Sequence, residues 1–565
     1  MRASQAEQGI KKYIPILGWL PGYHRGWLRL DIVAGLTAAA VVIPQAMAYA
    51  SIAGLPVEVG LYTALVPMVI YAILGTSRAL SVSATSTIAM LTATTLFGVV
   101  TSADPYDYVV PAATLAFLVG LFLLLAGVLR LGFLANLISL PVLTGFKAGI
   151  GVVIFVGQLG KVTGLSLEKG PILQTIIDLV QNLDQINWPT LIISLLTVAI
   201  LITLPRLAKK VPAALVAVGF GILLSALVEL EALGVALVGP IPAGLPSLSL
   251  PQLSLFQDLW LGALGIAIMS FVESIAAGRS FTQRGDRIPK PNQELVALGF
   301  ANLGGGLTQA MPGGGGTSQT AVNDQSGAKS QIAELVTAGV VIVTLFFLAP
   351  LISLMPQATL GALVLVAAAG LIKVGEFLKI REIRYTELIW ALAAFFGVIL
   401  LGTLQGILLA VLLSILALLY LAGHPPVYVL GRKMGTDAFR PTADHPDDET
   451  FPGLLMLRVE GVMYFASAPR AIDAITLLIR EHNPKVVTLD CRAVPNFEYT
   501  ALKAFYDFED KLSSSGITLW LAALNREAFE TIEKSPLGMV LGHERMFFNL
   551  EQAVEAYQAT QIVDE

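Results

Sequence analysis

The sequence predicts a polytopic α-helical membrane protein that ends in a small cytosolic α/β domain. Three observations carry this. Hydrophobic residues make up 55% of the 565 positions and charged residues only 13%, against about 25% charged in soluble domains. Long apolar stretches recur up to residue 422. After Gly423 the composition turns polar, and strand-like and helix-like segments alternate, the pattern of a mixed sheet with covering helices.

The apolar stretches fall at about 32–50, 57–75, 84–100, 110–130, 138–158, 188–204, 211–229, 258–277, 292–308, 318–331, 333–350, 356–374, 385–401 and 403–422, fourteen in all. Several are shorter than the ~20 residues a helical crossing needs. Lys and Arg set the orientation, because positive residues stay on the cytoplasmic side. Arg78, Arg130, Arg206, Lys209, Lys210, Arg279, Arg284, Arg287, Lys290, Lys373, Lys379, Arg381, Arg384, Arg432 and Lys433 all follow even-numbered stretches. The 230–257 loop carries no Lys or Arg, and Lys161 and Lys169 are the main exceptions. Both termini are therefore expected in the cytoplasm, in a multi-pass protein of the plasma (inner) membrane. Residues 10–30 mix Lys, Arg, Pro and Trp and read as an interfacial segment rather than a signal peptide.

The expected domains are a cytoplasmic N-terminal segment (1–30), a transmembrane domain (31–423), a polar linker (424–453) and the α/β domain (454–565). In the last, LLMLRVEG, MYFAS, VVTLDC and ITLWLAAL read as strands, with helices near 469–481, 499–514, 525–534 and 550–559. A net charge of −5 gives no basic field for nucleic acid. The single cysteine, Cys491, cannot form an internal disulfide and reads as a buried structural thiol. His24, His424, His445, His482 and His543 are scattered, no Cys/His pair has metal-ligand spacing, and no GxxxxGK[ST] loop occurs. The reading is no enzyme, no cofactor and no ATP drive.

The stretch MPGGGGTSQTAVN, Met311 to Asn323, places four glycines between long apolar segments. Irregular backbone survives at membrane depth only when buried in protein or lining a cavity. A glycine run before Ser/Thr suggests an extended segment entering a half-helix, with Thr317 or Ser318 as its N-cap. Its first N–H groups would be left for an anion, which glycine lets approach the backbone closely. SRALSVSATSTIAML, Ser77 to Leu91, repeats this logic in the first half of the chain. Interrupted spans at corresponding places in two halves point to an inverted-repeat transporter with a site near the midplane.

DIVAGLTAAAVVIPQAMAYASIAGLPVEVGLYTALVPMVIYAILGTSR (Asp31 to Arg78), NQELVALGFAN (Asn292 to Asn302), GGTSQTAVN (Gly315 to Asn323) and the α/β domain together resemble the SulP anion transporters (sulfate permeases, solute carrier family 26) and their C-terminal STAS domain. The resemblance implies fourteen transmembrane segments as two inverted seven-span repeats forming core and gate domains. It further implies substrate between the half-helices of spans 3 and 10, an elevator motion, and a homodimer.

Onto this chain it places substrate contacts at Gln45 and Tyr49 in span 1, at Ala84, Thr85 and Ser86 in span 3, and at Thr317, Ser318 and Gln319 in span 10. Pro44 is expected to break span 1, and Gln45 to donate to an anion or satisfy the backbone that Pro44 opens. Many members carry Arg where Gln319 stands. Two helix N-termini supply about one positive charge together, which suits a monoanion; a dianion would want another cation, such as Lys147, or a proton. The other role for Lys147 is snorkelling or pairing near a boundary.

Glu273 is a carboxylate inside an apolar span, which is costly and usually functional. Burial favours the neutral acid, so Glu273 is assigned the coupling ion. Sodium-coupled relatives carry a hydroxyl one turn later, where this chain has Ala277, with Ser274 as a partial substitute. Glu294 and Asn302 read as packing braces, and Asn323 and Asp324 as braces of the far end of the span-10 half-helix. In the STAS-like domain Thr500 falls on the phosphorylated position of related anti-sigma antagonists, although Glu498 and Ala501 depart from that pattern; dimer contact or docking of a regulator is the other reading.

The expected function is secondary active transport of an inorganic oxyanion, with proton-coupled sulfate uptake leading. The alternatives are sodium-coupled bicarbonate transport, dicarboxylate transport, an uncoupled anion channel or exchanger, and a non-transporting scaffold that presents the STAS domain.

Overall fold

The computed structural model describes residues 14–102, 104–136, 139–167, 172–208, 211–283, 286 and 288–564. Residues 10–13 of the interfacial segment, and Lys169, Lys209, Lys210, Arg284 and Arg287, lie outside the described residues. Contacts divide the chain into two compact units, Met1–Ser414 and Ile415–Glu565.

A helix falls on each of the fourteen expected stretches. Among the described residues, nine helices are long and apolar enough to cross a membrane. The other five stretches hold shorter helices, and two of these, Ser86–Phe97 and Thr317–Gln325, are the half-helices. One amphipathic helix, Ile172–Gln181, was not expected.

The helices that build the site are α1 (Leu28–Ile52), α2 (Ser86–Phe97), α3 (Leu140–Gly157), α4 (Phe256–Ser280), α5 (Pro291–Leu307), α6 (Thr317–Gln325) and α7 (Ile332–Val343). The packing repeats with the halves exchanged. Helix α1 packs on α7, and α4 packs on Val109–Val128. Contrary to expectation, Pro44 does not break α1, which is continuous through it. Proline removes one N–H donor from a helix interior; the flanking Val42, Ala46 and Met47 are buried, and tertiary packing holds the segment helical.

Two short strands meet where the halves cross. β1 (Val82–Ser83) and β2 (Gly314–Gly315) pair antiparallel, Val82 with Gly315 and Ser83 with Gly314. Each strand leads directly into a half-helix, β1 into α2 and β2 into α6. This two-strand ladder satisfies backbone groups that would otherwise be bare in the interior.

The second unit holds a six-stranded sheet. Its strands are β3 (Val427–Arg432), β4 (Phe439–Pro441), β5 (Leu454–Val459), β6 (Val486–Asp490), β7 (Thr518–Ala522) and β8 (Met546–Phe547), in the order β4-β3-β5-β6-β7-β8. Strands β5 to β8 run parallel, while β3 is antiparallel to β5. The segment expected as a linker, 424–453, therefore supplies two strands. MYFAS is not a strand; Met463 makes only an isolated bridge to Phe497, and the chain turns at Ser467 into the helix Ala468–His482. The other helices, Tyr499–Ser514, Arg526–Glu533 and Leu550–Asp564, fall where the sequence placed them.

Candidate anion site

The glycines hold the site together by close packing. A Cβ on Gly314 would lie 2.7 Å from Ile88 Cδ1 and 2.8 Å from Ser270 Oγ; one on Gly315 would lie 2.9 Å from Ser274 Cα. Only bare backbone lets β2 sit this close to α4. The serines of α4, four apart on one helical face, then meet the strand. Ser270 donates to the Gly313 carbonyl at 2.8 Å. The Gly315 N–H donates to Ser274 Oγ at 2.7 Å. Asn302 of α5 completes the support: its Oδ1 accepts from the Gly313 N–H at 2.9 Å, and its Nδ2 donates to the Gly313 carbonyl at 3.1 Å.

The N-cap of α6 is Gly316, not Thr317 or Ser318. Glycine has no side-chain oxygen to cap the first turn, so the leading N–H groups stay available to a ligand. In α2 the cap is Thr85, whose hydroxyl accepts from the Ile88 N–H at 3.4 Å. Gln319 joins the two half-helix starts. Its Oε1 accepts from Ser83 Oγ at 2.6 Å, and its Nε2 donates to the Ala84 carbonyl at 3.2 Å.

Between these starts lies a cavity of about 100 Å³. All eight residues assigned to substrate from the sequence line it: Gln45, Tyr49, Ala84, Thr85, Ser86, Thr317, Ser318 and Gln319. Thr87, Lys147, Glu273, Gly316 and Leu371 complete the wall. Gln45 Oε1 has no hydrogen-bond partner among the described residues. Its amide can turn about its terminal torsion and present N–H groups to the cavity.

Glu273 is buried, with 6% of its surface exposed. The Thr87 hydroxyl donates to its Oε1 at 3.1 Å and the Thr85 hydroxyl to its Oε2 at 3.4 Å. Lys147 Nζ lies 3.0 Å from Oε1. Ser274, read as a partial substitute for the hydroxyl missing at Ala277, instead accepts from the Gly315 N–H and donates to the Ser270 carbonyl. Helical geometry explains how Lys147 gets there. Gly145 and Gly149 sit one turn apart and seat α3 against Ala391, Phe395 and Val398 of the helix Tyr385–Leu401. Residue 147 lies on the opposite side of α3 from both, and so faces the cavity.

A larger cavity, about 840 Å³, shares no lining residue with the first. It is lined by the C-terminal ends of α1, α2 and α3, including Ser51, Phe97 and Gly157, with Glu58, Gln158 and Lys161. Helix C-termini carry negative dipole ends, and Lys161 is tied to Ser51.

The other expected residues are braces. Glu294 accepts from Tyr71 Oη at 2.7 Å and from the Thr76 N–H and hydroxyl at 2.7 and 2.5 Å. Asp324 accepts from Arg78 at 2.7 Å, and Arg78 also pairs with Asp286 at 2.9 Å. Asn323 donates to Glu334 Oε1 at 2.9 Å, and Ser81 donates to Glu334 Oε2 at 2.9 Å. Sequence reasoning missed Glu334 and Thr87. A lone carboxylate in the apolar run QIAELVTAG was the available signal for the first. A hydroxyl in the first turn of the half-helix was the signal for the second. In the second unit Thr500 is exposed, at the second position of the helix Tyr499–Ser514.

Residues 28–394 match the sulfate permease family, and residues 445–553 match the STAS domain. A protein described as "Probable sulfate transporter" in Mycobacterium tuberculosis is 38% identical over 552 residues, covering 96% of this chain and 98% of its own length. The chain belongs to the sulfate permease family. That family is one of transporters, not enzymes. High affinity sulfate transporter 1 of Stylosanthes hamata is 28% identical over 579 residues, covering 98% of this chain and 87% of that protein. The fold matches the murine solute carrier 26 family member A9 anion transporter in its inward-facing state, with a TM-score of 0.88 at 23% identity over 98% of this chain and 95% of that one. The transmembrane domain of the cyanobacterial bicarbonate transporter BicA matches with a TM-score of 0.61 at 27% identity, over 69% of this chain and 98% of that one. Among the described residues, Lys147 of α3 is the one cation that lines the small cavity.

Proposed function

We propose that the protein is a secondary active transporter of a small inorganic oxyanion, and that it takes up sulfate with a proton. One observation carries the reading: two half-helix N-termini open onto one small cavity whose wall also holds a lysine and a carboxylate. The N-termini and Lys147 attract the anion, and Glu273 takes the proton. A cavity of about 100 Å³ suits an inorganic ion better than a dicarboxylate. The names of the Mycobacterium and Stylosanthes relatives support sulfate.

Sodium-coupled bicarbonate transport is the second reading. It draws on the cyanobacterial relative and on Gln319 standing where many members have Arg. Against it, the Lys147 ammonium sits 3.0 Å from Glu273, where a sodium ion would neutralise the carboxylate, and Ala277 offers no hydroxyl.

Of the helices that line the site, α1, α2, α4 and α6 belong to the expected core spans, and α3 and the helix of Leu371 to the expected gate spans. Core and gate halves sliding as an elevator would part at this seam. A homodimer in the plasma membrane with cytoplasmic termini belongs to the same reading, with Thr500 as a surface point for regulation.

The test is uptake of labelled sulfate or bicarbonate by purified protein in liposomes under an imposed proton or sodium gradient. Sulfate accumulation driven by protons and lost in Glu273→Gln supports the reading. Sodium-driven bicarbonate uptake replaces it with the second.

A further inference from the structure

We propose that Lys147 is a shared counter-ion, paired with Glu273 when no anion is bound and turned to the anion when Glu273 takes a proton. The inference rests on the transport reading above and assigns the step that links anion to proton. Lys147 Nζ is 3.0 Å from Glu273 Oε1, and both side chains line the cavity between the half-helix starts. The lysine side chain is 25% exposed, against 7% for the glutamate. Its flexible four-carbon stem allows the ammonium to swing while the carboxylate stays in place. Glu273 keeps two hydroxyl partners, Thr85 and Thr87, when the lysine leaves.

Charge decides the consequence. The two N-termini contribute about one positive charge. Lys147 and an ionised Glu273 cancel, so the site carries about +1, matched to a monoanion. When Glu273 is neutral, the site carries about +2, matched to a dianion. A dianion therefore brings one proton with it, and a monoanion does not. The groups around Glu273 support this count. From α1 comes Tyr49, from α2 Thr85 and Thr87, from α3 Lys147, from α6 Thr317, Ser318 and Gln319, and Leu371 closes the wall. Lys147 and Tyr49 are the only other titratable residues lining this cavity among the described residues.

The experiment is calorimetric binding of sulfate and of nitrate to the purified full-length chain between pH 5.5 and 8.5. Nitrate serves as a monoanion that does not itself titrate. Sulfate affinity is expected to fall about tenfold per pH unit where one proton is bound with each anion, while nitrate affinity stays flat. Glu273→Gln is expected to flatten the sulfate profile, and Lys147→Arg to keep it. Removing the lysine alone strands a buried carboxylate, so the decisive variant is Lys147→Gln with Glu273→Gln. It is expected to lose at least tenfold in sulfate affinity relative to Glu273→Gln at an unchanged unfolding temperature. A pH-independent sulfate affinity in the wild type, or a double variant that binds as tightly as Glu273→Gln, overturns the shared-lysine inference and leaves the transport reading standing. A wild type that binds no oxyanion overturns both.

Discussion

The Ser83 hydroxyl donates to Gln319 Oε1 at 2.6 Å, and this bond ties the strand before one half-helix to the first turn of the other. Gln319 also donates to the Ala84 carbonyl, so both ends of its amide are used and only 1% of the residue is exposed. Its main work is to set the spacing of the two helix starts. Gln319→Ala removes an acceptor from Ser83 and a donor from Ala84 in a buried place. The expected cost is about 1–3 kcal/mol of stability, with weaker anion binding. Thermal unfolding and calorimetry on the variant check both.

The glycine run makes a separate prediction. A methyl on Gly315 meets Leu80 Cδ1 at 2.7 Å and the α4 backbone at Ser274, and backbone cannot step aside. Gly315→Ala is expected to cost about 1–3 kcal/mol through overpacking and to abolish uptake. Gly327→Ala serves as a contrast: its φ of +87° strains an L residue, but no atom lies within 4 Å of the added methyl. It is expected to lower stability while the site geometry, and so substrate affinity, is kept.

How much of this was legible in the sequence depends on the range of the interaction. The half-helices were, because glycine and hydroxyl runs inside apolar stretches are local signals. Glu273 was legible as a lone charge in an apolar span. Lys147 was legible as a candidate cation for the anion, but its pairing with Glu273 was not: the two are far apart in the chain, and the packing of Gly145 and Gly149 against Ala391 and Val398 turns the lysine inward. The cap of α6 was misplaced by one or two residues because Ser and Thr are the usual caps, whereas the cap is Gly316, where a Cβ would lie 2.8 Å from Gln319 Oε1. The strand β3 was read as linker because prolines precede it and polar residues follow. Its alternation over Val427, Tyr428 and Val429 makes sense only beside β5.

Glu334 escaped notice for a similar reason. It is fully buried, accepts from Ser81 and Asn323, and has no cationic partner in an ion pair among the described residues. Its role is to hold the start of α7 against the end of α6. Glu334→Gln keeps a carbonyl acceptor and is expected to retain uptake. Glu334→Ala leaves two buried donors without an acceptor and is expected to cost about 2 kcal/mol or more. Unfolding temperatures of the two variants, measured beside uptake, separate the cases.

Cys491 gives a test of the second unit. Burial, with Asp490 adjacent, pushes its thiol well above the ordinary range, so the reactive thiolate is scarce at neutral and mildly alkaline pH. Iodoacetamide at pH 8 is expected to leave the native chain unlabelled and to label it fully after denaturation. Rapid labelling of the native chain would show that the packing around β6 is not as described.

The most direct measurement is a crystal structure of the protein soaked with selenate, an anomalous scatterer shaped like sulfate. A selenium peak is expected between the starts of α2 and α6, placed so that the selenate oxygens lie within hydrogen-bond distance of the leading N–H groups and of Lys147 Nζ. A peak confined to the larger cavity beside Gln158 and Lys161, with none at the half-helix starts, would contradict it.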